Sequence, residues 1–190
     1  CFRLLRLLSQ LMRTVRRVPA ITIAPVQGAA IGGGFGLLCA CDFAIGTPNT
    51  KVGYPPIELG LSPALMTPWL VQKIGPSAAR AFMLRGGTTA GTEAARLGLL
   101  TDLVAEEELS ESTDRLADQL LGADPTALRT TKRYLNHFEG SDQDVILDHA
   151  ADVSATLMSR DATQRRVSSF RQAPKPCLLY TSPSPRDPSI

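Results

Sequence analysis

The stretch "PVQGAAIGGGFGLLCACD", from Pro25 to Asp42, constrains the fold of this chain more than any other. Four glycines, Gly32, Gly33, Gly34 and Gly36, fall within five positions. Glycine loses more freedom on folding than any other residue, so a cluster like this needs a reason: a turn with positive φ, or a close approach to bare backbone. The preceding segment "AITIAPV" (residues 20–26) is short, β-branched and apolar on both faces, which suits a buried strand. The following "FGLLCA" is short and apolar and could open a helix. The local pattern is therefore strand, bare turn, helix start.

Three chemistries use such a turn. A dinucleotide loop needs glycine at relative positions 1, 3 and 6, and both Gly32/Gly34/Leu37 and Gly28/Ala30/Gly33 fail that test. A phosphate loop needs Gly-Lys-Ser/Thr at its end; Gly28 and Gly33 have the spacing, but Gly34 stands where the lysine belongs. A structural reading has the glycines letting a helix pack tightly on a strand. In a third reading, backbone N–H groups at the helix N-terminus aim at a developing oxyanion, a donor worth about 3–4 kcal/mol in the transition state. The structural and oxyanion readings stay open at this point.

Around the turn the chain alternates short elements. Phe2, Leu4, Leu5, Leu8, Leu11, Met12 and Val15 keep a helical period over residues 2–17, which Pro19 ends. The five arginines between Arg3 and Arg17 read as a solvated helix face rather than an anion site. "DFAIG" reads as a strand, "TPNTK" as a turn, and "KVGYPPIELGLSP" as a strand end plus loop. Residues 64–74, "GPSAARAFMLRG" and "TEAARLG" read as helices, and "LLTDLVA" as a strand. "EEELSESTDRLADQLLG" is a helix with acid at its favourable N-terminal end, and residues 125–138 and 142–170 are mostly helical. The coarse order is α, β, α, β, then a helical second half, with no internal repeat.

Composition narrows the function classes. The chain of 190 residues can bury a real core, and its net charge of +2 is too small to argue for nucleic acid. No stretch of eighteen apolar residues suggests a membrane span, and no signal-peptide pattern is present. Cys39 and Cys41 are one residue apart, not a zinc spacing, with no histidine nearby; buried reduced thiols, and a cytoplasmic or organelle-matrix location, are expected. No metal is expected. The sequence starts at Cys1 in what reads as mid-helix, the mark of a fragment cut upstream. Residues 177–190 differ in kind, and "CLLYTSPSPRD" resembles a translated sequencing adapter, so this tail is set apart as non-biological.

The segment "VPAITIAPVQGAAIGGGFGLLCACDFAIGTPNTKVGYPPIELGLSP" resembles the crotonase superfamily, the enoyl-CoA hydratase/isomerase proteins. So do "AARAFMLRGGTTAGTEAARLGLLTDLVAEEEL" and the closing "SSFRQAPKP", and the likeness spans about residues 2–176. The resemblance implies an α/β fold: a partial crotonase-like ββα spiral over residues 1–105, then a helical C-terminal trimerisation region over 106–176. It implies an acyl-CoA thioester substrate, no cofactor beyond the coenzyme A of that substrate, and a homotrimer or dimer of trimers. The thioester carbonyl would dock on the Gly33 N–H, with a second donor in an N-terminal segment absent from this sequence. Ala30, Ile31, Gly32, Gly33, Pro55, Pro56, Leu59 and Ala64 fall at substrate-binding positions.

The resemblance breaks where the reaction is decided. Hydratases of this family use paired glutamates, one for the water proton and one for the α-carbon proton. Here Gly36 and Pro56 stand at those positions, and Ala64 stands near where a dienoyl isomerase places a third carboxylate. Glu58, two residues past the second slot and so on the same strand face, is the candidate substitute acid/base, with a solvated loop glutamate as its rival reading. Tyr54 is a second candidate donor; Asp42 reads as a turn or capping acid. His137 and His149 read as surface or interface residues. Lys132 and Arg133 read as a solvated face, with CoA phosphate contact the lesser alternative. Trp69, Leu65, Leu70 and Val71 read as core. The expected function is an acyl-CoA-processing enzyme stabilising a thioester enolate; the alternative is a non-catalytic CoA-thioester-binding or scaffold homologue.

Overall fold

A computed structural model describes residues 2–54 and 59–172. Helix α1 (Phe2–Arg17) leads into strand β1 (Ile23–Val26), strand β2 (Ala29–Ile31) and helix α2 (Gly33–Ala40). The pattern recurs as β3 (Phe43–Gly46), β4 (Lys51–Tyr54), a 3₁₀ turn (Ala64–Met66) and α3 (Thr67–Arg85). Then come β5 (Gly87–Ala90), α4 (Gly91–Arg96) and β6 (Asp102–Leu103). The remainder is α5 (Leu109–Leu121), α6 (Pro125–Phe138), α7 (Asp144–Met158) and α8 (Asp161–Gln172).

The strands sort into two sheets of order β1-β3-β6 and β2-β4-β5. Successive ββα turns stack in register: Ile23 opposite Phe43 through Val26 opposite Gly46, and Ala29 opposite Lys51 through Ile31 opposite Gly53, all parallel. Parallel stacking demands a crossover between partners, and the intervening helix supplies it. The third turn departs from the repeat, because β5 runs antiparallel to β4 and comes before α4 and β6. The fold is thus α/β with a spiral of ββα turns and a helical C-terminal region.

The α, β, α, β reading omits β2 and β5. Both are of three or four residues, are rich in Ala, Gly and Thr, and lack an apolar alternation, so their pairing is set by the neighbouring turn rather than by their own composition. α3 breaks at Gly75 (φ 78°, ψ 161°), just before Pro76, so the segments 64–74 and "GPSAARAFMLRG" are separate helices end to end, as the proline predicts.

The core gathers Met12 from α1, Phe35, Leu38 and Cys39 from α2, Val52 from β4, and Leu65, Met66, Trp69 and Leu70 from the 3₁₀ turn and α3. Phe35 stacks on Phe82 with ring centroids 5.5 Å apart. Arg3, Arg6 and Arg17 of α1 are exposed, as expected from their spacing, whereas Arg16 is buried and Arg13 partly so. Arg6 pairs with Asp152 at 2.8 Å, Arg13 with Asp144 and Asp148, Arg16 with Glu139 at 2.6 Å and Arg17 with Asp144 at 2.6 Å. A charged face becomes a seam when an acidic helix, here α7, lies along it. Among the described residues no helix is long and apolar enough to cross a membrane.

Candidate active site

β2 carries Ala30 and Ile31 to the turn, and the Gly32 N–H donates to the Gly53 carbonyl of β4 at 3.0 Å. Gly32 then takes φ 60°, ψ −119°, which glycine reaches without strain, and α2 begins at Gly33. A helix leaves its first N–H groups without an intrahelical acceptor. Among the described residues none of the Gly33, Gly34 and Phe35 N–H groups has an acceptor elsewhere. Three donors therefore converge at the positive end of α2.

The glycines of the cluster differ in why they are glycine. Among the described residues a β-carbon on Gly34 would meet nothing within 4 Å, and one on Gly33 would meet the Leu8 methyls at 3.5 and 3.7 Å, an ordinary contact. The packing of the described residues does not forbid side chains there. Gly36 is the opposite case: a β-carbon would fall on the Met12 methyl and lie 3.1 Å from its sulfur and 3.2 Å from Met66 Cγ. The slot where the family resemblance places a carboxylate is buried and walled by two methionines.

Ala30 is half-buried against the core, and Ile31 is 42% exposed. Ala64 sits in the 3₁₀ turn and faces a cavity of about 330 Å³ with Leu61, Pro63, Thr67, Met83 and Leu84. Met66 of that turn is the wall beside Gly36, so the Ala64 turn packs against α2, the helix that the β2–α2 turn opens. Leu59 is half-buried ahead of this turn. Pro55, Pro56 and Glu58 lie outside the described residues.

The Ala64 turn is held by residues that the sequence reading did not single out. The Ser62 carbonyl accepts from both the Tyr54 hydroxyl at 3.2 Å and the Ser154 hydroxyl at 3.1 Å, and Ser154 Oγ accepts from the Leu65 N–H at 2.9 Å. Thr163 of α8 donates to the Gly60 carbonyl at 3.2 Å. Burial pushes the Tyr54 phenol up to about 12, so at neutral pH it is an uncharged hydroxyl, donating to the Ser62 carbonyl. A lone serine on a helix carries no pattern that would have revealed this role.

Asp42 is a turn acid, as expected: its Oδ2 accepts from the Thr22 N–H at 2.7 Å and the Thr22 hydroxyl at 2.8 Å. Lys132 is not on a solvated face. It is buried, and its ammonium donates to Asp42 at 2.7 Å and to the Ala20 carbonyl at 2.7 Å. Arg133 is exposed, and with Arg129 and His137 it lines a groove of about 930 Å³ beside Val18 and Pro19. His137 is bound to Asp142 at 2.8 Å on the surface. Trp69 and Leu70 are fully buried, in keeping with a core role. Cys39 and Cys41 are free thiols, and burial pushes the Cys39 thiol up to about 12, out of nucleophilic range. Among the described residues no cluster of His, Cys, Asp and Glu could hold a metal.

Known proteins share this fold. A crystal structure of an enoyl-CoA hydratase from Mycobacterium avium superposes with a TM-score of 0.82 at 25% identity, covering 90% of this chain and 67% of that one. A crotonyl-CoA hydratase from Syntrophomonas wolfei is 28% identical over 167 residues, 87% of this chain and 64% of that protein. A Thermus thermophilus relative is 35% identical over 128 residues, 66% of this chain and 51% of its own length. The chain thus spans between half and two thirds of these curated relatives. The family described as enoyl-CoA hydratase/isomerase matches residues 6–176, nearly the whole spiral and the helices behind it. The stacked ββα turns, the glycine turn at the head of α2 and this match together make the chain a member of the enoyl-CoA hydratase/isomerase family.

Proposed function

We propose that this chain belongs to an acyl-CoA-processing enzyme that stabilises a thioester enolate, with the Gly33 N–H as one donor of the oxyanion hole. The observation that carries the reading is the head of α2, where among the described residues the N–H groups have no acceptor and nothing fills the space at Gly34. A thioester oxygen at that point gains the donor and the helix field together. Coenzyme A would enter as part of the substrate, with no other cofactor. Family relatives are named for crotonyl-CoA and short-chain enoyl-CoA hydration. A homotrimer in the cytosol or an organelle matrix completes the proposal.

The proton chemistry is proposed to differ from two-glutamate hydration. Gly36 and Pro56 bear no carboxylate, and Met12 and Met66 occupy the flank of Gly36. Glu58 is the acid/base candidate left in this region of the sequence. The methionine wall also favours a second reading, a homologue that binds CoA thioesters without turning them over.

The test uses the protein expressed from its complete gene. Acyl-CoA binding is measured directly beside turnover of crotonyl-CoA and other enoyl thioesters. Gly33→Pro removes one N–H at a helix position that tolerates proline, and it is expected to lower turnover at least about a hundredfold. An unchanged rate in the folded variant rejects the role of Gly33. Tight binding with no turnover of any thioester selects the non-catalytic reading.

A further inference from the structure

The far end of α2 holds a second constellation that the glycine turn does not use. A cavity of about 380 Å³ opens there between α1, α3 and α6, lined among others by Arg16, Asp42, Lys73, Thr131, Lys132 and Glu139. It adjoins the C-cap of α2, Cys41, so it lies a helix length, about 12 Å, from Gly33.

The charges facing this cavity do not balance. Both carboxylates are engaged: Asp42 by Lys132 at 2.7 Å, and Glu139 by Arg16 at 2.6 Å. Lys73 is the cation left over. Its ammonium has three donors, and among the described residues its partner is one uncharged acceptor, the Cys41 carbonyl at 3.2 Å. Arg16 is nine-tenths buried, and its Nε has no hydrogen-bond partner among the described residues. A buried guanidinium N–H without an acceptor is costly, and so is a second cation close by. Both groups line the same cavity, and burial, with the charge of Arg16 as a smaller cause, pulls Lys73 below the ordinary lysine range.

We propose that this cavity binds a small oxyanion, a carboxylate or a phosphate, seated between Lys73 and Arg16. Such a ligand accepts from the unused ammonium N–H donors of Lys73 and screens the repulsion between the two cations. The C-terminal end of α2 opposes it with about half a negative charge, and the leftover ammonium outweighs that. The site is separate from the thioester chemistry, because the intervening helix divides the two.

Thermal unfolding of the full protein decides the matter. Inorganic phosphate and acetate, each at 20 mM, are compared with chloride at matched ionic strength. A millimolar site is expected to raise Tm by about 2–5 °C in one of the two oxyanions. The rise is expected to vanish in Lys73→Gln and to persist in Lys73→Arg, which keeps the charge. A rise with phosphate alone assigns a phosphate ligand, and one with acetate alone a carboxylate. An equal rise in wild type and Lys73→Gln, or none beyond chloride, overturns the site.

Discussion

The glycines at the head of α2 separate into those the chain needs for itself and those it does not. Gly32 is required by its backbone angles, and Gly36 by the methionines beside it. Among the described residues nothing lies within 4 Å of a β-carbon placed on Gly34. Substituting Gly34 by Ala is therefore expected to leave Tm unchanged or raise it slightly, since alanine favours the helix by up to about 1 kcal/mol, while weakening thioester binding. Calorimetric unfolding together with a binding isotherm checks both halves; normal binding would show that the space is idle. Gly36→Ala is expected to cost about 1–3 kcal/mol through overpacking against Met12. Because the colliding atoms belong to the Met12 side chain, adding Met12→Leu should recover part of the loss, which a double-mutant cycle in urea would read.

Elements in this fold are positioned by polar ties placed far apart in sequence. Ser154 of α7 fixes the Ala64 turn through Leu65 and Ser62. Ser154→Ala leaves the buried Leu65 N–H without its acceptor, an expected loss of about 1–3 kcal/mol seen as a lower urea midpoint. Lys132→Met strands the Asp42 carboxylate and is expected to cost about 3–5 kcal/mol, with the further change Asp42→Asn restoring a good part. Local signals made much of the element list legible. The apolar period of α1 foretells Phe2–Arg17, and the proline after Gly75 foretells the break in α3. The family likeness supplied the spiral that the coarse element order lacked. The ties were not legible, since neither a lysine at 132 nor a serine at 154 differs locally from a solvated helix residue. Burial of Lys132 follows from Asp42, ninety positions away, and no window of sequence contains both. In the candidate site, the position of Gly33 could be read from its motif, whereas the wall of Met12 and Met66 could not.

Across the whole molecule, the seam between α1 and α7 makes stability depend on pH. Arg17, through its hydrogen bond and charge, holds the Asp144 carboxyl below its ordinary range, and Arg6 does the same to Asp152. A carboxylate depressed in the folded state contributes stability above its unfolded pKa of about 3.9 and loses it as pH falls through the lower folded value. Tm is therefore expected to hold from pH 7 to 5 and to fall below about pH 4. These pairs are exposed, so added salt should shrink the effect. A flat Tm from pH 6 to 3 would remove the seam from the account. The stacking of the spiral has a further consequence. β1 and β2 each end the strand order of their sheets, and both lie in its first turn. Among the described residues β6 and β5 border the same two sheets on the other side, β5 running antiparallel to its neighbour. Pro25, inside β1 and exposed, brings no N–H to its strand. β2 has no proline, so every residue from Ala29 to Ile31 keeps the N–H that a strand on its far side would use.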